Sequence, residues 1–298
     1  MKRISRFAVS GALTVVAALA GTGLASAQQT LVGNWAPIMH EDQTERGAGP
    51  DVGDWAGLPI TEAGRLRAEA WDAALLTVPE HQCKPHPSIY GYRGIGGPRI
   101  GRIEDPNTFA VVALTMHIPW MEQRRTIWMD GREHPPEFAP HTWQGFSTGK
   151  WEGDVLVVDT THLKAGWVRR NGVVTTDQVT MREYFFRHGD ILTHTYVISD
   201  PVYLSEPLIK TNGFRLAGND NLAPYPCQAV IEVDRAKGEI PHHLPGTNPY
   251  LTEYATRHKL PVVATRGGAE TALPEFARSM PAAEPAPAAA APARRPGQ

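Results

Sequence analysis

The pentapeptide G-F-S-T-G at 145–149 has the spacing of a serine-hydrolase nucleophile elbow, and His141 and His162 flank it. In such an elbow a strand delivers the serine to a sharp turn and a helix follows at once. That geometry exposes the hydroxyl and supplies the oxyanion amides. The chain after Gly149 reads K-W-E-G-D-V-L-V-V-D, which is a strand end, a glycine turn and a second strand, with no helix-forming segment. Ser147 is therefore expected in a hairpin, without a nucleophilic role. The glycine-rich run at 91–101, G-Y-R-G-I-G-G-P-R-I-G, lacks the preceding strand, the following helix and the Gly-Lys-Ser/Thr ending of a phosphate loop. It reads as a flexible loop.

Acid–base and metal chemistry remain. Among twelve histidines no H-E-x-x-H or other close-spaced ligand pair occurs, and the adjacent His242 and His243 point apart on an extended chain. A site must therefore be assembled from separate strands. Successive side chains of a strand alternate between faces, and that alternation selects candidates. Leu192, His194, Tyr196 and Ile198 share the bulkier, more apolar face of one segment, which is expected inward. By the same parity Glu183 lies with Met181 and Phe185, His162 with Leu156, Val158 and Thr160, Arg124 with Thr126 and Trp128, and His117 with Phe109, Val111 and Ala113.

A buried imidazole or carboxylate is costly unless it meets a partner or a ligand, so these residues point to one shared polar pocket. There His194 or His162 would be the general base or acid, and Glu183 would orient the imidazole or raise its basicity. Arg124 would hold an anionic or phenolate oxygen, with Trp128, Tyr196 and His117 on the substrate side. Such a set suits a lyase, hydratase or isomerase that needs no cofactor and acts on an apolar or aromatic substrate. Two other readings use the same pocket. One is a non-catalytic carrier or sensor of that ligand; the other is a metal-dependent enzyme with His117, His162 and His194 as ligands and Glu183 beside them.

The elements that must position these residues are mainly β. Short segments rich in Val, Thr, Ile and aromatics run from R-I-G-R-I-E-D at 99–105 to Q-A-V-I-E-V-D at 228–234, and Asp, Gly, Asn and Pro separate them. M-D-G-R, W-E-G-D, R-H-G-D and S-D-P read as hairpin joins. Roughly nine or ten such strands suit an antiparallel up-and-down β-barrel, with a two-sheet sandwich as the alternative. With Gly189 near the turn centre, position 183 falls opposite about 195. One N-terminal helix is predicted within 60–76, capped by Thr61, with Leu66, Ala70, Trp71 and Ala74 on one face. A short C-terminal helix is predicted at 248–259, with Asn248 capping, Pro249 at its first position, and Tyr250, Leu251 and Tyr254 packing on the barrel.

Residues 1–27 have a basic start, an apolar core and A-S-A before Gln28, the pattern of a cleaved signal peptide, so a periplasmic or secreted protein is expected. No later run is long and apolar enough to span a membrane. Loss of Lys2, Arg3 and Arg6 takes the formal charge from −2 to −5, which gives nucleic acid no electrostatic attraction. The two cysteines, Cys83 and Cys227, sit in proline-rich loops and are expected to pair in an oxidising compartment. Residues 28–276 read as a single domain, and the Pro/Ala-rich 277–298 as a disordered tail.

R-R-T-I-W-M-D-G-R-E-H-P at 124–135 and G-F-S-T-G-K-W-E-G-D-V-L-V-V-D-T-T-H-L at 145–163 resemble the signature of an abundant family of exported bacterial proteins to which no mechanism is attached. The resemblance continues through 181–207 to P-Y-P-C and covers about residues 82–228. The early G-x-W at Gly33–Trp35 and the run of strands are also similar to lipocalin-like barrels, a likeness of architecture that implies no shared activity.

Overall fold

Alternating apolar positions between Gly33 and Ala217 build a closed ring of nine strands. The structure, a computed structural model, describes residues 30–38, 50–92, 97–119, 121–218 and 227–280. The expected signal segment and the tail beyond Met280 lie outside them. The strands are β1 (Gly33–Pro37), β2 (Arg99–Glu104), β3 (Val111–Ile118), β4 (Gln123–Trp128), β5 (Phe146–Glu152), β6 (Val155–Thr161), β7 (Gly166–Trp167), β8 (Val174–Thr175), β9 (Thr180–His188), β10 (Ile191–Ser199) and β11 (Leu208–Ala217). β7 and β8 form a separate ribbon, and the other nine follow chain order around the ring until β11 pairs with β1.

A closed ring with an odd number of strands cannot be antiparallel throughout. The parallel pair is β4–β5, with Ile127 beside Ser147 and Trp128 beside Thr148. M-D-G-R is therefore not the hairpin its composition suggests, but the start of a crossover over 129–145. W-E-G-D and R-H-G-D are two-residue turns, closed by Glu152↔Val155 and His188↔Ile191. Gly153 at φ 62 and Gly189 at φ 57 supply the left-handed backbone that such turns demand. S-D-P opens a longer connection, in which Asp200 Oδ1 accepts from the amides of Val202 and Tyr203. Residues 228–234 are exposed and irregular rather than a strand. The ring is already closed by β1 and β11, so no edge is left for them to join.

The N-terminal helix α1 (Glu62–Glu69) is capped as expected, with Thr61 accepting from the amide of Gly64. It ends before Ala70, and Leu66 is 45% exposed rather than inward. Small residues explain the docking. A Cβ on Gly64 would lie 2.7 Å from the carbonyl of Tyr203, so the helix seats through Gly64 and Ala68. A 3-10 turn follows at Ala73–Thr77, capped by Asp72, and then α2 (Pro79–Gln82) and α3 (Ser88–Gly91).

The C-terminal helix α4 spans only Glu253–His258. Asn248 does not cap it. Its buried amide instead donates to the carbonyls of Glu69 and Trp71, satisfying the end of α1, while its oxygen accepts from Tyr250. Leu251 packs on the core, Tyr254 is half-buried, and Tyr250 is exposed. α5 (Val262–Thr265) is followed by a 3-10 turn at Ala269–Ala272 and by α6 (Pro274–Ser279), so the first residues of the expected tail are helical.

Cys83 and Cys227 form a disulfide that closes a loop of 144 residues and pins the chain beyond the barrel to the end of α2. Its loss should lower stability by about 2–4 kcal/mol, because the cross-link restrains the unfolded chain over a long loop. Urea unfolding of the oxidised protein against the Cys83→Ser/Cys227→Ser pair checks this. Equal midpoints would show that the bond contributes nothing.

Candidate functional site

The two-residue turn after β9 sets the register of its neighbour. Glu183 stands opposite Tyr196, and Phe185 opposite His194, one place away from the register counted about Gly189 alone. That shift puts Glu183 and His194 diagonally adjacent on the same inward face. They meet: His194 Nε2 lies 3.0 Å from Glu183 Oε1, and both side chains are 0% exposed.

Glu183 is held chiefly by Arg125 from β4, whose guanidinium engages both carboxylate oxygens, Nη1 at 2.9 Å from Oε1 and Nη2 on Oε2. The remaining guanidinium hydrogens reach Tyr92 Oη at 3.0 Å, Ser147 Oγ at 3.0 and 3.1 Å, and Thr160 Oγ1 at 2.6 Å. Asn212 donates from Nδ2 to His194 Nδ1 at 3.3 Å, so Nε2 carries the proton given to Glu183. The imidazole is stacked between Phe185 and Tyr196, with centroids at 4.3 and 5.0 Å.

Charge states follow from this enclosure. Burial pushes the Glu183 carboxyl up, but the Arg125 charge and hydrogen bonds, with His194, more than reverse it and hold the group at about 2. Burial lowers His194 despite the opposing pull of Glu183, so the ring is neutral. Burial and the neighbouring carboxylate raise Tyr92, which stays a phenol. Among the described residues the lumen thus contains one matched ion pair, Arg125 with Glu183, beside a neutral imidazole and a neutral phenol.

Several residues expected in this pocket are elsewhere. β4 faces inward through Gln123, Arg125 and Ile127, so Arg124 is exposed and Trp128 lies outside, its ring 3.5 Å from the Arg132 guanidinium. β3 faces inward through Leu114, Met116 and Ile118. His117 points out and pairs with Glu122 at 3.0 Å; the left-handed Phe109, which is 73% exposed, precedes the strand and does not extend its pleat. Leu156, Val158 and Thr160 do face inward, but β6 ends at Thr161. His162 then adopts φ 57 and turns away, with Nε2 3.0 Å from the carbonyl of Pro136.

Only Tyr196 of the four expected substrate contacts is inward, and it is packed against His194. His117, His162 and His194 do not converge, and no group of three metal-ligating side chains forms among the described residues. Ser147 is 1% exposed, with its hydroxyl bonded to Arg125 and Thr160, so no histidine activates it. Tyr92, Arg125, Thr160 and Asn212 complete the lumen network. The inward parity of Ile127 was the one available signal for Arg125.

Outside the barrel a cleft of about 520 Å³ opens between the end of α1, the β7–β8 ribbon and residues 240–242. Trp71 and Trp167 meet edge to face at 5.6 Å, and Leu75 and Val174 extend this apolar wall. Arg67, Lys84 and His81 supply polar groups. His86 backs Trp167 at 5.0 Å; burial, then the charges of Arg170 and Lys84, hold it neutral at about 3. Comparison with protein-family models, curated proteins and solved structures gives no match for this chain.

Glu183→Gln should destabilise the fold by about 3–5 kcal/mol in urea unfolding, because it strands the Arg125 charge in the lumen. Acid should act in two stages. His194 is depressed from 6.5, so its contribution is complete above that value and is lost as pH falls below it. Glu183, at about 2 against 4.5, contributes fully above 4.5 and loses its contribution as pH falls toward 2. His194→Phe should shrink the first stage, leaving the share of His86, which is depressed from 6.5 to about 3, and should leave the second. A wild-type stability that stays level from neutrality to pH 3 would contradict the assignment.

Proposed function

We propose that this chain is an exported protein that binds an apolar or aromatic small molecule in the cleft beside the barrel, as a carrier or sensor. The observation that carries the reading is a contrast of two interiors. The barrel lumen is filled by the Arg125–Glu183–His194 network and the apolar side chains around it, whereas the cleft offers about 520 Å³ walled by Trp71 and Trp167. The two indoles are 5% and 9% exposed, so what they offer a flat ligand is a rigid apolar edge held in place by packing.

The lyase, hydratase or isomerase reading needs an imidazole in contact with substrate. His194 is enclosed by Phe185, Tyr196 and Tyr92, and His162 lies on the outside of the barrel, which favours binding over turnover. Export is supported by the basic-then-apolar pattern of residues 1–27 and by the disulfide, a bond that persists in oxidising compartments.

Titration of the oxidised protein with naphthalene and indole should perturb tryptophan emission. Val174→Trp, which fills the cleft from the ribbon, should abolish saturable binding in calorimetry. Trp128→Phe, on the barrel exterior, should leave it unchanged. Binding that survives Val174→Trp would remove the cleft from consideration.

A further inference from the structure

The cleft has a second wall, and it carries two cations. Arg67, in the last turn of α1, and Lys84, just after α2, both line it. Neither forms an ion pair with a carboxylate among the described residues; Lys84 has only the Trp143 ring, 5.6 Å from its ammonium. The two charges act on each other, and burial together with Arg67 depresses the Lys84 ammonium. Arg67 is exposed and Lys84 half-buried, so folding has placed two like charges on one cleft wall, an arrangement that an anion relieves.

The two acids of the lining, Asp72 and Asp177, match the cations in number, but neither comes within ion-pair distance of Arg67 or Lys84. Asp72 caps the turn after α1 through the amide of Ala74 at 2.8 Å and faces His243 at 3.7 Å. Asp177 has no such engagement among the described residues.

We infer that the cleft is built for a small aromatic carboxylate, with its ring against Trp71 and Trp167 and its carboxylate on Arg67 and Lys84. The inference rests on the binding reading above and adds charge selectivity to it. The Trp pair alone would accept any flat apolar molecule. The cations make the acid preferable to a neutral compound of the same shape, because a charged hydrogen bond in a partly dry site is roughly twice as strong as a neutral one.

Calorimetric titration of the full-length oxidised protein with 2-naphthoate and with the isosteric, uncharged 2-naphthamide tests this. The acid should bind about ten-fold or more tighter than the amide, a difference of about 1.4 kcal/mol. Arg67→Gln/Lys84→Gln should erase that advantage, with an unchanged urea midpoint showing that the fold is kept. Lys84→Arg should retain it. Equal affinity for acid and amide in the wild type, or an advantage that survives the double substitution, would overturn the charge assignment and leave the binding reading standing. If neither compound binds, or if Val174→Trp affects neither, the cleft reading itself fails.

Discussion

Arg125 and Glu183 are each too costly to bury alone, and the barrel is arranged so that neither is. Their strands are not neighbours: β5 and β6 lie between β4 and β9 in the ring. The ion pair therefore crosses the lumen, and Ser147 and Thr160 from the intervening strands complete the guanidinium's shell. A slip of one residue in β4, β5, β6 or β9 would turn one of these groups to the outside and leave a charge or a donor unmatched in a dry interior. Apolar packing alone tolerates much more variation in register. This network acts on specificity more than on net stability, since buried ion pairs roughly break even against desolvation.

A filled lumen changes what the rest of the chain is for. The barrel is complete with β11, yet α1, the β7–β8 ribbon and the segment after Cys227 are docked against it with their own caps and small-residue contacts. Asn248 joins two of these additions by capping the end of α1 from far along the sequence. The cleft exists only where the three additions meet. The barrel serves as the rigid body on which they are mounted.

This division also decides what could be read from the sequence. The alternation in β9 and β10 is clean, with Met181, Glu183 and Phe185 on one strand and Leu192, His194 and Tyr196 on the other, so the buried pair was legible. β4 was not. Each of its alternate sets, Gln123/Arg125/Ile127 and Arg124/Thr126/Trp128, carries a charge and a large apolar group, and the bulkier tryptophan proved to be outside. His162 follows the parity of its strand until a single left-handed residue breaks it. The parallel pair β4–β5 is a consequence of ring closure, a global constraint that turn composition does not carry. The cleft has no periodic signal at all, because Arg67, Lys84, Trp167 and Ile240 converge only through tertiary docking.

The position of the disulfide relative to the barrel gives the molecule two levels of maturity. All nine barrel strands lie between Gly33 and Ala217, and the bond joins Cys83 to a residue beyond the last of them. Ring closure therefore needs no oxidation. Residues 240–242 at the cleft rim have two anchors, the tie at Cys227 on one side and, on the other, the amide of His243 donating to the carbonyl of Ala70. Reduction would therefore loosen one side of the cleft while the ring of strands stayed closed.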